Sequence, residues 1–314
     1  MVPKEYYGRL FTKEQLSVDY HSEAFTLESM IKVDKQLRCK RCYSQIEEDW
    51  QLPEGQYYCR ACIVFGRNQE GKELYYFPSK TSEIEFPALK WLGKLTPYQA
   101  EVSEKLLETY QKQKDSLVHA VTGAGKTEMI YKIVAYVLEG KGNVAIASPR
   151  VDVCRELFLR MQRDFTCSIS LLHAESEPYD GSPLVIATTH QLLKFYQNFD
   201  LVIVDEVDAF PFVGNVMLNH AVEQAKKETG RYIYLTATST ISLEEQVRLG
   251  TLEKHHLARR FHGNPLVLPK FCWQGRLQKS LMRGKLPRPL VYQIKKQRKS
   301  KFPSINLFPK YSDR

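Results

Sequence analysis

No stretch of this 314-residue chain approaches the roughly 18 uncharged apolar residues that cross a bilayer. The start, MVPKEYYGRL, lacks the basic-then-apolar order of a secretory leader. Together these absences make a cytoplasmic protein the expectation. Internal repeats and low-complexity tracts are also missing. Cysteine is scarce and unevenly placed: of seven, four fall within 24 residues, and Cys154, Cys167 and Cys272 are scattered as plain thiols would be. The spacing of those three supports neither a disulfide framework nor a metal site. The most informative shortage is of acid. Residues 254 to 312 carry 15 Lys/Arg and no Asp or Glu, whereas residues 1 to 253 carry 29 Lys/Arg against 35 Asp/Glu. Cations without internal neutralisation attract polyanions by releasing counterions. Nucleic acid is therefore the first partner to consider, and an anionic membrane face the second.

What is present suits a globular protein with a sizeable core, since 43% of residues are apolar and the length fits about two domains. Short β-branched and apolar runs recur at Ser116–Val121, Val144–Ser148, Ile169–Leu172, Leu184–Ala187, Leu201–Val204 and Tyr232–Thr236. Helical periodicities lie between most of them, at Glu128–Leu138, Val151–Phe165 and Val216–Glu228. Apolar strands alternating with helices predict an α/β fold, a parallel sheet with helices on both faces. The expected organisation is an N-terminal segment 1–35, a cysteine module 36–65 and a polar connector 66–94. An α/β domain 95–262 and a basic, proline-interrupted segment 263–314 follow.

In AVTGAGKT an apolar strand ends at Val121, Gly123 and Gly125 turn the chain, and a helix starts near Lys126. Such a loop (Thr122, Gly123, Ala124, Gly125) aims backbone N–H groups and a helix N-terminus at one point, where a phosphate chain finds donors and a favourable dipole. Lys126 would reach the outer phosphates of ATP, and the Thr127 hydroxyl would help hold Mg2+. Position 120 is alanine, so the strict G-x-x-x-x-G-K-[ST] pattern is not met. The second element is LVIVDEVDAF, a fully apolar strand ending in Asp205, Glu206 and Asp208. It places carboxylates at the carboxyl edge of the sheet, where open α/β folds bind ligands. There Asp205 can hold Mg2+ and Glu206 can accept a proton from an attacking water. This division of labour suits phosphoryl transfer, in which catalysis is mostly positioning and charge neutralisation.

CKRC and CRAC, sixteen residues apart, supply Cys39, Cys42, Cys59 and Cys62. Two C-x-x-C knuckles close a tetrahedron around Zn2+ with no open position, so the metal would be structural and its binding coupled to folding. A redox pair would need one such motif in a thioredoxin-like unit. Lys40, Arg41 and Arg60 lie within the knuckles, with Tyr43, Trp50, Tyr57 and Tyr58 nearby. This mixture fits phosphate contact plus base stacking on single strands, or simply the small core of the module.

LTPYQ (95–99), AVTGAGKTE (120–128), SPRVDVCREL (148–157), TTHQLL (188–193), DEVDAF (205–210) and TATST (236–240) stand in the order of the first half of a superfamily 2 helicase. The resemblance implies a RecA-like domain in which Gln99 reads adenine. It also implies that Arg150 and Thr189 touch the nucleic-acid backbone, while Asp208, Thr236 and Thr238 couple hydrolysis to strand movement. With a four-cysteine zinc module ahead of it, the chain resembles the ComFA family of late-competence ATPases, itself similar to the primosomal helicase PriA. That resemblance implies single-stranded DNA as the load and a ComFC-like partner. It also implies a competence channel and work at the inner face of the cell membrane. A superfamily 2 motor has a second RecA-like half with an arginine-finger segment, and only 53 residues follow Phe261. A family member truncated at the start of its second helicase domain, with impaired turnover, is thus expected. The alternatives are a non-catalytic zinc-containing nucleic-acid adaptor and a fragment of a PriA-like replication-restart helicase.

Overall fold

The computed structural model describes residues 1–81, 84–258, 282, 284 and 286–299. The chain divides into two units, Met1–Pro265 and Leu266–Arg314. In the second unit the described residues form one helix, Arg288–Lys299 (α7 below). Apart from residues 282, 284, 286 and 287, the rest of the basic segment, including Cys272, lies outside the described residues.

The first unit opens with short strands β1 (Leu10–Thr12), β2 (Phe25–Glu28), β3 (Met30–Val33), β4 (Gln36–Cys39) and β5 (Glu73–Tyr76). Its α/β part then runs α1 (Pro97–Gln111), β6 (Asp115–Ala120), α2 (Lys126–Met129), α3 (Tyr131–Glu139), β7 (Val144–Ser148) and α4 (Val151–Asp164). Next come β8 (Ile169–Leu172), β9 (Leu184–Thr188), β10 (Phe199–Asp205), α5 (Val216–Ala225), β11 (Lys226–Thr236), α6 (Ile241–Arg248) and β12 (Leu252–Leu257). The last helix, Arg288–Lys299, is α7.

β6 to β12 form one seven-stranded sheet in the order β12-β6-β11-β10-β7-β9-β8, and every pairing in it is parallel. Side chains alternate across a strand, so an unbroken apolar strand must be covered on both faces. β10 shows this directly. Leu201 and Ile203 face α1, α3 and α4, while Val202 and Val204 face α5. All four are fully buried. The arrangement is the RecA-like P-loop sheet the motifs imply. α1 starts cleanly because Thr96 caps it, Pro97 occupies its first turn, and Gln99 completes a reciprocal capping box.

The expected strands are all present. α5 ends at Ala225 rather than near Glu228, because Lys226 already belongs to β11. The periodicity from Glu128 splits into α2 and α3 at Ile130. β12, an edge strand of sequence LEKHHL with mixed burial, carried no apolar signal. The N-terminal segment and the connector are tied together. β1 and β2 pair antiparallel with opposite edges of β5. The β3–β4 hairpin then leads into the first cysteine knuckle, since β4 ends at Cys39. Among the described residues, no helix is long and apolar enough to cross a membrane.

Candidate nucleotide site and four-cysteine centre

β6 delivers the loop Val121–Gly125 to the carboxyl edge of the sheet. Gly123 and Gly125 have φ of +79° and +74°, a region that L side chains rarely enter. At Gly125 a Cβ would also lie 2.3 Å from Gln99 Nε2. Gln99 is buried and fully engaged: its Nε2 donates to Ala124 O at 2.8 Å, and its Oε1 accepts from Thr96 N at 2.9 Å and Thr96 Oγ1 at 3.0 Å. The side chain that resemblance assigns to adenine therefore braces the phosphate loop in this conformation.

Two strands away, β10 ends in the acidic motif. Lys126 Nζ lies 3.4 Å from Asp205 Oδ1, with only 18% and 13% of the two side chains exposed. Glu206 adopts φ +56°, the left-handed region, where a non-glycine residue costs about 1 to 2 kcal/mol. Its N–H donates to Asp205 Oδ1 at 2.9 Å. Arg150, from the loop after β7, places Nη1 3.5 Å from Glu206 Oε2 and also binds Asp152 through Nε at 3.2 Å. Hydrogen bonding to Asp152, and then the Glu206 charge, raise the Arg150 pKa above its ordinary value.

These groups share one cavity of about 1030 Å3, lined by Gln99, Thr122, Gly123, Gly125, Lys126, Thr127, Arg150, Asp205, Glu206, Asp208 and Thr238. A volume of that order suits a nucleotide. Ala124 and Thr236 stand behind it, both buried. Thr236 Oγ1 donates to Thr238 O at 2.8 Å and accepts from Thr238 N at 3.0 Å, fixing the turn that carries Thr238. Thr189 is not brought to the surface. It is fully buried with its Oγ1 unpartnered, so its side chain does not offer the backbone contact expected of it. Trp91, Lys94, Glu128 and Arg160 also line the cavity. Glu128 closes the AVTGAGKTE motif, Trp91 and Lys94 are signalled only as an aromatic and a cation just ahead of LTPYQ, and Arg160 carries no signal.

The cysteines meet as a closed cluster. All four are fully buried, and their Sγ atoms lie within 4.8 Å of one another. Cys39–Cys62, Cys42–Cys59 and Cys59–Cys62 are separated by 3.7, 3.5 and 3.6 Å. A tetrahedron with Zn–S of about 2.3 Å has edges of about 3.8 Å, so the set fits Zn2+. Hydrogen bonding to Cys39 and burial push the Cys59 and Cys62 thiols up, as four crowded sulfurs cannot all ionise without a cation. Cys154 and Cys167 are isolated thiols raised by burial to about 12 and about 11.

One expectation for the module is corrected. Arg41 is not a phosphate contact, because it is 1% exposed and turned into the cysteine centre. Arg60 remains at the surface, over the Tyr58 ring and 3.0 Å from Asp49. Trp50 and Tyr57 pack against the core instead of standing free. The module is seated on α5. His220 Nε2 donates to Lys40 O at 3.0 Å, and Gln224 Nε2 to Arg41 O at 2.9 Å. Tyr43, at φ +60°, stacks on His220 with ring centroids 5.1 Å apart.

Residues 92–242 match the family model described as "Type III restriction enzyme, res subunit". Over 304 residues the chain is 54% identical to competence protein ComFA of Streptococcus pneumoniae (strain ATCC BAA-255 / R6), covering 96% of this chain and 69% of that one. The chain belongs to the ComFA family. A second ComFA, from Bacillus subtilis (strain 168), is 35% identical over 286 residues, covering 88% of this chain and 62% of that protein. Among solved structures, a hypothetical ATP-dependent RNA helicase from Sulfolobus tokodaii aligns at 18% identity with a TM-score of 0.43, covering 53% of this chain and 54% of the other. As a ComFA family member with these motifs on a RecA-like sheet, the chain is a superfamily 2 helicase-type ATPase related to competence.

Proposed function

We propose that this chain uses ATP hydrolysis to draw single-stranded DNA during competence, with Lys126, Asp205 and Glu206 as its catalytic groups. The observation that carries the reading is the Arg150–Glu206 contact of 3.5 Å. It joins the residue matched by resemblance to nucleic-acid contact directly to the carboxylate proposed to activate water. In this reading the loop N–H groups from Thr122 to Gly125 and the Lys126 ammonium bind the phosphates. Mg2+, held by Thr127 and Asp205, would neutralise charge that develops on them. Glu206 accepts the proton of the attacking water, and Asp208, Thr236 and Thr238 carry the change to the strand-facing side. Gln99 would have to trade its bond to Ala124 for adenine, or else act only as a brace. Zn2+ on Cys39, Cys42, Cys59 and Cys62 would hold the module, whose exposed Arg60 offers DNA a cation beside the half-buried Tyr58 ring. The cysteine module 36–65 and the ATPase part 95–262 would then be the working divisions. A ComFC-like partner and a membrane channel at the inner face would receive the DNA.

The test is ATP turnover with and without single-stranded DNA on the wild type and Lys126→Ala, alongside DNA binding at two salt concentrations. DNA-stimulated turnover that falls at least about 100-fold in the variant is the expected result. Equal rates would remove the phosphate loop from the mechanism, and DNA binding without turnover in either protein would favour a zinc-containing adaptor. Affinity should drop steeply with salt, because phosphate contacts release counterions.

A further inference from the structure

We infer that Arg41 is the buried counter-cation of the four-cysteine centre, and that it makes Cys62 the least reactive ligand of the four and Cys59 the most reactive. The inference rests on the zinc reading of that centre.

Arg41 is 1% exposed. A guanidinium does not shed its proton in a protein, so burial without a compensating anion strongly disfavours folding. Among the described residues no carboxylate lies within ion-pair distance of it. Its neighbours are backbone oxygens and sulfur. Nη1 donates to Phe65 O at 2.6 Å, and Nη2 donates to Cys62 O at 3.1 Å and to Gly66 O. Nε and Nη2 both donate to Cys62 Sγ at 3.3 Å, a two-pronged grip on one sulfur. Four neutral thiols would leave the guanidinium uncompensated. Four thiolates around a divalent cation carry a net charge of −2, and Arg41 is the positive charge buried against them.

The other sulfurs are served unequally. Asn68 Nδ2 donates to Cys39 Sγ at 3.1 Å, and Ser44 Oγ lies 3.3 Å from Cys42 Sγ. Cys59 Sγ has only the sulfurs of Cys42 and Cys62 within bonding distance among the described residues. N–H···S bonds draw negative charge from a thiolate and lower its nucleophilicity, most strongly when the donor is itself charged. All four cysteines are equally buried, so exposure does not rank them. Donors other than the neighbouring sulfurs do: none at Cys59, one amide at Cys39, at Cys42 a hydroxyl that accepts from the thiol and can donate only once the sulfur is a thiolate, and two N–H groups of one guanidinium at Cys62.

N-ethylmaleimide probes this order. The thiolate sulfur adds to one alkene carbon, the other carbon takes a proton from water, and the metal loses that ligand. The full chain is first analysed for bound zinc; a wild type without metal would defeat the zinc reading itself. On zinc-loaded wild type, limiting maleimide followed by site-resolved mass spectrometry should label Cys59 first and Cys62 last. In Arg41→Met, release of zinc to a chromogenic chelator should accelerate roughly 10- to 100-fold and labelling of Cys62 should advance. Arg41→Lys should fall between, since an ammonium keeps the charge but cannot fork onto one sulfur. Should Arg41→Met fail to fold, the wild-type labelling order decides alone. Labelling of Cys62 as early as Cys59 in the zinc-loaded wild type would overturn the proposal, as would unchanged zinc release in a folded Arg41→Met.

Discussion

At Glu206 two demands meet. The residue sits in the left-handed region, and Arg150, from the loop after β7, places Nη1 3.5 Å from its Oε2. A carboxylate oxygen engaged by a guanidinium is less free to orient a water for attack. Arg150→Ala should therefore raise ATP turnover without DNA several-fold, while DNA stimulation shrinks because the same residue is matched to the strand. Steady-state hydrolysis with and without single-stranded DNA checks both halves. Gly125 offers a second test, since alanine there would take a left-handed φ and drive its Cβ into Gln99. Gly125→Ala should lower ATP affinity at least tenfold and reduce stability by about 1 to 2 kcal/mol, read by calorimetry and thermal melts. The chemistry at this edge was legible in the sequence, because phosphate binding and water activation demand particular residue types at strand ends. Arg41 and Thr189 were not legible in the same way. An arginine between two zinc-type cysteines and a threonine opening a helical turn look solvent-facing as letters, and only the packing shows that both are buried.

Among the elements, strands buried on both faces announced themselves by unbroken β-branched runs, as in β7, β9 and β10. β12 did not, because an edge strand with one wet side needs few apolar residues. It is fastened to α1 instead by His255, 5% exposed, whose Nε2 lies 3.2 Å from Thr109 Oγ1. Burial lowers the pKa of this imidazole below its ordinary value. The unfolded chain, with a histidine near 6.5, then binds more protons than the folded one as pH falls. The stability His255 contributes is fully present above about pH 6.5 and is lost as pH drops below that value toward the folded pKa. Melting temperature should fall between pH 7.5 and 5.5, and His255→Gln should show a smaller fall over the same range.

Across the whole first unit, the cysteine module and the ATPase sheet share one apolar core. Met30, Ile46 and the four cysteines are continuous with Leu218, Ala221 and Val222 of α5. Removing zinc should accordingly do more than loosen a small appendage. A chelator is expected to lower the melting temperature of the entire unit and to weaken ATP binding, since α5 follows the acidic loop directly. An unchanged melt after metal loss, with zinc release verified, would show that the module is thermally separate. The boundaries between these parts were the least legible feature. Charge and cysteine spacing mark the module, but nothing local announces that residues 10–12 and 25–28 pair with a strand about 45 to 66 residues onward.

That pairing has a consequence for how such a chain can be assembled and altered. β2 and β5 lie side by side, and Ser29 N donates to Lys72 O at 3.2 Å where the polypeptide leaves β2 and returns toward β5. Everything between those two residues is a detour that departs and rejoins at a single doorway. A short reverse turn could bridge the doorway without rerouting any neighbouring strand. The chain path thus permits the module to be exchanged or excised as one cassette, but excision would uncover the α5 face of Leu218, Ala221 and Val222, which a replacement would have to cover again.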